Sequence, residues 1–355
     1  MKRVLWQPML LLAALLAETL RLTTPMSAPR AAHTSTTLAD GRVLIAGGFG
    51  ADERAVAGAE LFDPRTKRFV AAPPMLVRRQ SHTATRLRDH RVLLLGGYDA
   101  RGAVTASAEV FDGTRFVAAG SMTRPRAGHI ATLLADGRVL ITGGAAADGS
   151  FLDSAEIYDP STGRFAAAGR MTRARESHTA TLLPDGRVLI AGGHQPRPVA
   201  STEIFNPARG TFTPGPSMTR VRHKHDALLL PDGRVWIIGG ADERDNLGAY
   251  DATEVYERGT MRASTKLSLA RYKHRGTSIV LPNGEILLAG GNASAEVFAG
   301  EQSRIVRSDS ALSGQFSAAS LLADGRVLIT GGYGGGRGPT AKAWIYRPAM
   351  PRTTR

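Results

Sequence analysis

Short apolar runs recur along this chain, each opening after a tight polar turn and ending on a glycine pair, at intervals of about 50 residues. The pairs are Gly47-Gly48, Gly96-Gly97, Gly143-Gly144, Gly192-Gly193, Gly239-Gly240, Gly290-Gly291 and Gly331-Gly332. In the fourth repeat, His178 to Leu183 alternates small, polar and apolar residues as a strand does, and Pro184-Asp185-Gly186 makes a tight turn. Val188 to Ala191 is then continuously apolar, the pattern of a strand covered on both faces. Glu203 to Phe205 begins a third strand, Asn206-Pro207 and Gly210 turn the chain, and Thr211 to Thr213 begins a fourth. Each repeat therefore predicts a four-stranded antiparallel meander that buries its inner strands only against its neighbours.

Seven such units predict an all-β, seven-bladed propeller, and a ring must join its last blade to its first or leave two open sheet edges. The seventh repeat reaches Trp344-Ile345-Tyr346 and has no fourth strand after it. Leu20 precedes Met26 by the interval that separates Phe69 from Met75 and Phe165 from Met171, so residues 19 to 26 are expected to supply the missing outer strand. The doubled glycines, the aromatic-acid pairs Phe62-Asp63, Phe111-Asp112 and Tyr158-Asp159, and a recurring Arg-x-x-His together resemble the kelch-repeat family over essentially the whole mature chain. Where that family places Trp in the fourth strand, this chain aligns Phe69, Phe116, Phe165, Phe212, Met261 and Val306.

Lys2, Arg3, the apolar run Val4 to Ala17 and the polar Glu18 have the layout of a signal peptide over residues 1–17. The run is short of the ~20 apolar residues of a membrane span. The expectation is a periplasmic or secreted monomer with its propeller over residues 18–348, a basic tail over 349–355 and no membrane span after processing; an uncleaved anchor is the alternative. The chain has no cysteine, so export would add no disulfide and no lipid-modified cysteine. A formal charge of +14 points to an acidic partner. Nucleic acid is disfavoured by the export signal and by the lack of aromatic residues interleaved with the basic ones.

The loops after the glycine pairs and those leading into Arg-x-x-His share the face where the repeats differ, so that face is the expected location of a site. Arg30, Arg79, Arg126, Arg175, Arg222 and Arg271 begin the six Arg-x-x-His segments, and Glu60, Glu109, Glu156, Glu203, Glu254 and Glu296 enter the third strands. The seventh repeat loses both, with Gly314 and Trp344 in their places, so Arg and Glu are read as structural ion pairs, within a blade or between blades. The repeated histidines lie around a ring, too dispersed for one metal ion, and no metal or cofactor is expected.

Further arginines, Arg78, Arg124, Arg173 and Arg220, stand beside the paired set. In the fifth and sixth repeats His223, Lys224, Tyr272, Lys273 and Arg275 join them, and Arg222 is counted with this group as a ligand-binding residue. The fifth repeat has the longest loop after its glycine pair, with Asp242 and Glu243, and the sixth the shortest, Asn292 to Ala295, which predicts a cleft there. Two extra residues between His274 and Asn283 predict a bulge.

Two functions follow: a non-catalytic binding module for an anionic glycan or an exported protein, or a carbohydrate-active enzyme of the kind the kelch resemblance includes, such as a sialic acid epimerase. No catalytic residue is assigned, and the reading leans away from an enzyme. Galactose oxidase chemistry, whose tyrosine cofactor in that family is crosslinked to cysteine, is disfavoured by the absence of cysteine.

Overall fold

The computed structural model describes residues 18–334 and 338–349, so the expected signal peptide and all but the start of the basic tail lie outside the described residues. Seven four-stranded antiparallel sheets follow one another along the chain. The first strand of each sheet touches the first strand of the next, and that of the seventh touches that of the first, so the sheets are blades around a common axis. In blade one the strands run Thr34–Thr37, Val43–Ala46, Ala59–Asp63 and Arg68–Ala72 from axis to rim.

The second strands are the apolar runs seen in the sequence. Val43–Ala46, Val92–Leu95, Val139–Thr142, Val188–Ala191, Val235–Ile238 and Val327–Thr330 are buried at every position. Both faces of each strand are covered because the core lies between blades: Leu44 and Leu61 of blade one pack with Val92, Leu94 and Phe111 of blade two. The glycine pairs make the blades fit. Gly47 has φ +64, and a Cβ there would stand 2.5 Å from the Arg79 carbonyl of the next blade. Gly48 donates its N–H to that same carbonyl at 2.9 Å, a contact that recurs around the ring to Gly332 and Arg30.

The ring closes through the N-terminal strand, as the sequence predicts. Thr19–Leu22 pairs antiparallel with Ala343–Arg347, Leu20 opposite Tyr346. Arg304 of blade six binds Glu18, beside the N-terminal strand, at 2.6 Å and Glu285 of its own blade at 2.9 Å. Leu20 is 1% exposed in the core between blades six and seven, so Leu20→Ala is expected to cost about 2–3 kcal/mol. A urea melt with an unchanged midpoint would show that the seam does not depend on it.

Two local expectations are corrected. The extra residues of blade six form a turn at Arg275-Gly276 ahead of a first strand shortened to Ser278–Val280, not a bulge within it. In that blade the residue opposite Phe298 is Ser303, not Val306, and Trp236 of blade five fills the space by packing on Phe298 at 4.9 Å. Among the described residues no helix is long and apolar enough to cross a membrane.

Candidate binding site at the axial channel

The Arg-x-x-His segments build the mouth of the axial channel, and their arginines anchor it. Arg79 donates from Nη1 to the carbonyls of Gly96 at 2.8 Å and Ser107 at 3.1 Å, and from Nη2 to Glu109 at 2.7 Å. The other Glu109 oxygen accepts the Leu76 N–H of the incoming loop at 2.7 Å. One buried pair thus fastens the incoming loop, the glycine pair and the third strand of its own blade. The pattern repeats at Arg30–Glu60, Arg126–Glu156, Arg175–Glu203 and Arg222–Glu254 at 2.7 to 2.8 Å, and at Arg271–Glu296 at 3.6 Å. Burial lowers the guanidinium pKa and the glutamate opposes it; Arg271 falls to about 10 and stays charged at neutral pH.

The histidines clasp neighbouring blades. His82 meets Thr34 at 3.1 Å, His129 meets Thr83 at 3.0 Å and His225 meets Thr179 at 3.0 Å. Burial holds these rings well below the ordinary imidazole pKa, with the adjacent arginine pushing the same way, so they are neutral.

Immediately before these histidines, and before Ser317 in blade seven, one residue per blade adopts a left-handed backbone: Ala32, Ser81, Gly128, Ser177, Lys224, Lys273 and Phe316, with φ between 51° and 63°. Each donates its N–H to the carbonyl of its counterpart in the preceding blade, at 2.9 to 3.3 Å, and Ala32 donates to Phe316, so seven backbone hydrogen bonds close a circle. Six of the seven are not glycine, a strained arrangement held by the circle itself. The side chains divide it. Blades one to four present Ala, Ser or Gly; blades five to seven present two lysines and a phenylalanine.

Below this mouth lies a cavity of about 530 Å³, within the range of small-ligand sites. Its wall is made of small residues, among them Ala84, Ala131, Ala180, Ala227 and Ala319. Lys224 Nζ binds Asp245 at 3.1 Å and the Tyr272 hydroxyl at 3.2 Å. Lys273 Nζ binds the Tyr333 hydroxyl at 2.9 Å and lies 4.9 to 5.5 Å from the rings of Tyr272, Phe316 and Tyr333. No carboxylate is within ion-pair distance of Lys273 among the described residues. Glu176 also lines the cavity, and burial raises its pKa while Lys224 opposes. His223 lies behind Lys224, 3.0 Å from Asp245, and burial with the Lys224 charge lowers its pKa to about 4.

A family model described as the Kelch motif matches residues 177–219, which run from the channel mouth through all four strands of blade four. The chain is a kelch β-propeller. No curated protein matches it. Among solved structures this kelch propeller is similar to a fungal alcohol oxidase of the AA5 family in complex with copper, at 14% identity and a TM-score of 0.72, over 92% of this chain and 76% of that one. At that identity the likeness is one of fold. The sequence has no cysteine, and among the described residues no group of three His, Cys, Asp or Glu side chains is placed to hold a metal ion.

The kelch propeller gathers some of the sequence-derived site residues and disperses others. Lys224, Lys273 and Arg275 line the cavity; Tyr272 and His223, 2% and 4% exposed, lie buried behind the lysines. Arg222 is fully buried against Glu254 and belongs with the structural pairs, not with a ligand. Asp242 is held by Arg244 at 2.6 Å within its own loop, and Glu243 is exposed beside it. Arg124, Arg173 and Arg220 are exposed but outside the cavity, Arg220 resting over the Tyr250 ring at 5.6 Å. Asp245, another acidic residue of the long blade-five loop, meets Lys224 at 3.1 Å. A second cavity of about 510 Å³ is lined by Asn292, Leu312 and Tyr333 of blades six and seven and by no residue of the blade-five loop, so it is not the cleft expected between blades five and six.

Proposed function

We propose that this kelch propeller is a binding protein whose axial cavity takes an anionic carbohydrate. The observation that carries this reading is the divided mouth. One side offers Lys273, a cation caged by three aromatic rings with no carboxylate partner, and the other side is cleared by small residues. A partly exposed cation without a counter-charge is the feature an anionic group completes. The partly exposed rings of Tyr98, Phe316 and Tyr333 give flat apolar surfaces against which sugar rings pack. The concave shape favours a small ligand or a chain end over the flat patch of a protein partner.

Lys273→Glu is expected to weaken binding of a galacturonate oligosaccharide at least tenfold with the melting temperature unchanged. Arg220→Glu, at the rim, is expected to change neither. Affinity should fall as salt rises from 0.05 to 0.5 M, where the screening length drops below about 8 Å. Wild-type affinity in Lys273→Glu, measured by calorimetry, would remove the site from the axis. Conversion of the probe during an NMR-monitored titration would instead favour the carbohydrate-active enzyme.

A further inference from the structure

The turn unique to blade six places an arginine across the axis. Arg275 donates from Nη1 to the carbonyl of His129, on blade three, at 3.3 Å. Its charge depresses the pKa of His82, His129 and His178, so the guanidinium faces the wall formed by blades two to four. Asp226 is the carboxylate whose charge bears on it, and its oxygens are already occupied. Oδ1 accepts the N–H groups of Gly276 and Ala227 and Oδ2 that of Ser278, each at 3.0 Å. Asp226 therefore fixes the turn and leaves the guanidinium without an ion pair among the described residues. Of its five N–H donors, one is engaged, in a long bond.

We propose that Arg275 is the carboxylate receptor of the cavity, and that the ligand is an acidic sugar at the end of a chain, entering carboxylate first from the variable face. This rests on the carbohydrate-binding reading above and names its ligand class. A planar guanidinium with open donors matches a carboxylate in a two-point fork, which a lysine does not. The incoming carboxylate takes the place of the long bond to His129. End-on entry follows from the shape: the cavity lies on the axis, the backbone circle fixes its mouth, and Arg275 bars passage across it. A chain could not thread through, so an acidic residue in mid-chain could not reach the guanidinium.

The test uses the purified protein, with Arg275→Gln and Arg275→Lys, titrated calorimetrically with galacturonic acid, galactose and two trisaccharides, one acidic at its end and one acidic only in its middle residue. Wild type is expected to favour galacturonic acid over galactose, and the end-acidic over the mid-acidic trisaccharide, by about tenfold or more. Arg275→Gln should bring both ratios close to one without changing the melting temperature, and Arg275→Lys should restore part of them. Wild-type ratios in Arg275→Gln, or equal binding of the two trisaccharides by wild type, would overturn the proposal. Loss of acidic binding in Lys273→Glu alone, with Arg275→Gln unaffected, would refute it and leave the binding site standing. Failure of the wild type to bind any acidic probe would overturn both.

Discussion

Acidification from pH 7 to pH 5 is expected to unfold the protein, driven by the six histidines that clasp the blades. Each is buried, at 7% exposure or less, and burial with the adjacent arginine keeps it neutral. The folded pKa is about 3 for His33 and about 4 for His274, where Asp226 opposes the shift, against an unfolded value near 6.5. The unfolded chain therefore binds more protons between these limits. The stabilisation is complete above about pH 6.5 and is lost as the pH falls toward the folded values. Each histidine contributes about 1.4 kcal/mol per pH unit within that window, so six together approach ~8 kcal/mol per unit, comparable with the ~5–15 kcal/mol stability of a typical domain. Denaturant midpoints measured at half-unit steps should drop steeply below pH 6.5. Equal midpoints at pH 7 and pH 5 would show that the histidines titrate normally.

Arg175→Ala is expected to destabilise the protein by about 3–5 kcal/mol, because it leaves the buried Glu203 carboxylate without its counter-charge and the buried Gly192 carbonyl without its donor. Arg175 donates to the Gly192 carbonyl at 2.6 Å, the Ser201 carbonyl at 3.0 Å and Glu203 at 2.8 Å. Blade seven shows the alternative solution. With Gly314 and the fully buried Trp344 in these places it folds without the pair. The double change Arg175→Met with Glu203→Leu should therefore recover much of the loss, since no buried charge remains unpaired. A single-variant loss below about 1 kcal/mol, the value of an exposed pair, would mean that the pair is solvated.

The ring was legible in the sequence because its determinants are local or strictly repeated. Gly47 and its counterparts are glycine since no Cβ fits against the next blade, and Leu20 keeps the spacing of the fourth strands it completes. The Arg–Glu pairing was legible from its joint loss in blade seven. The cavity was not. Ala32, Ser81, Lys224 and Phe316 have no intrinsic preference for left-handed backbone; their conformation is imposed by hydrogen bonds from neighbouring blades. Likewise Arg124, Arg173 and Arg220 stand two residues from buried arginines yet turn to the rim, and nothing near Arg275 in sequence signals that it reaches blade three. In the blade-five loop, Asp242 is consumed by Arg244 two residues on, while Asp245, at the start of a short 3-10 turn, reaches Lys224.

The seam between the N-terminal strand and blade seven also sets the order of assembly. Glu18 and its partner Arg304 are 286 residues apart, and Leu20 pairs with Tyr346 near the far end of the chain. Thr19–Leu22 thus has no partner until the third strand of blade seven, Ala343–Arg347, has been made. Blades one to six can stack in sequence order, each on its predecessor, but the last sheet forms only by a long-range closure whose entropy cost precedes its reward. Until then the two ends of the open stack expose apolar sheet faces and Ala343–Arg347 lacks its outer partner, so the period before closure is when the chain is most exposed to pairing with another copy.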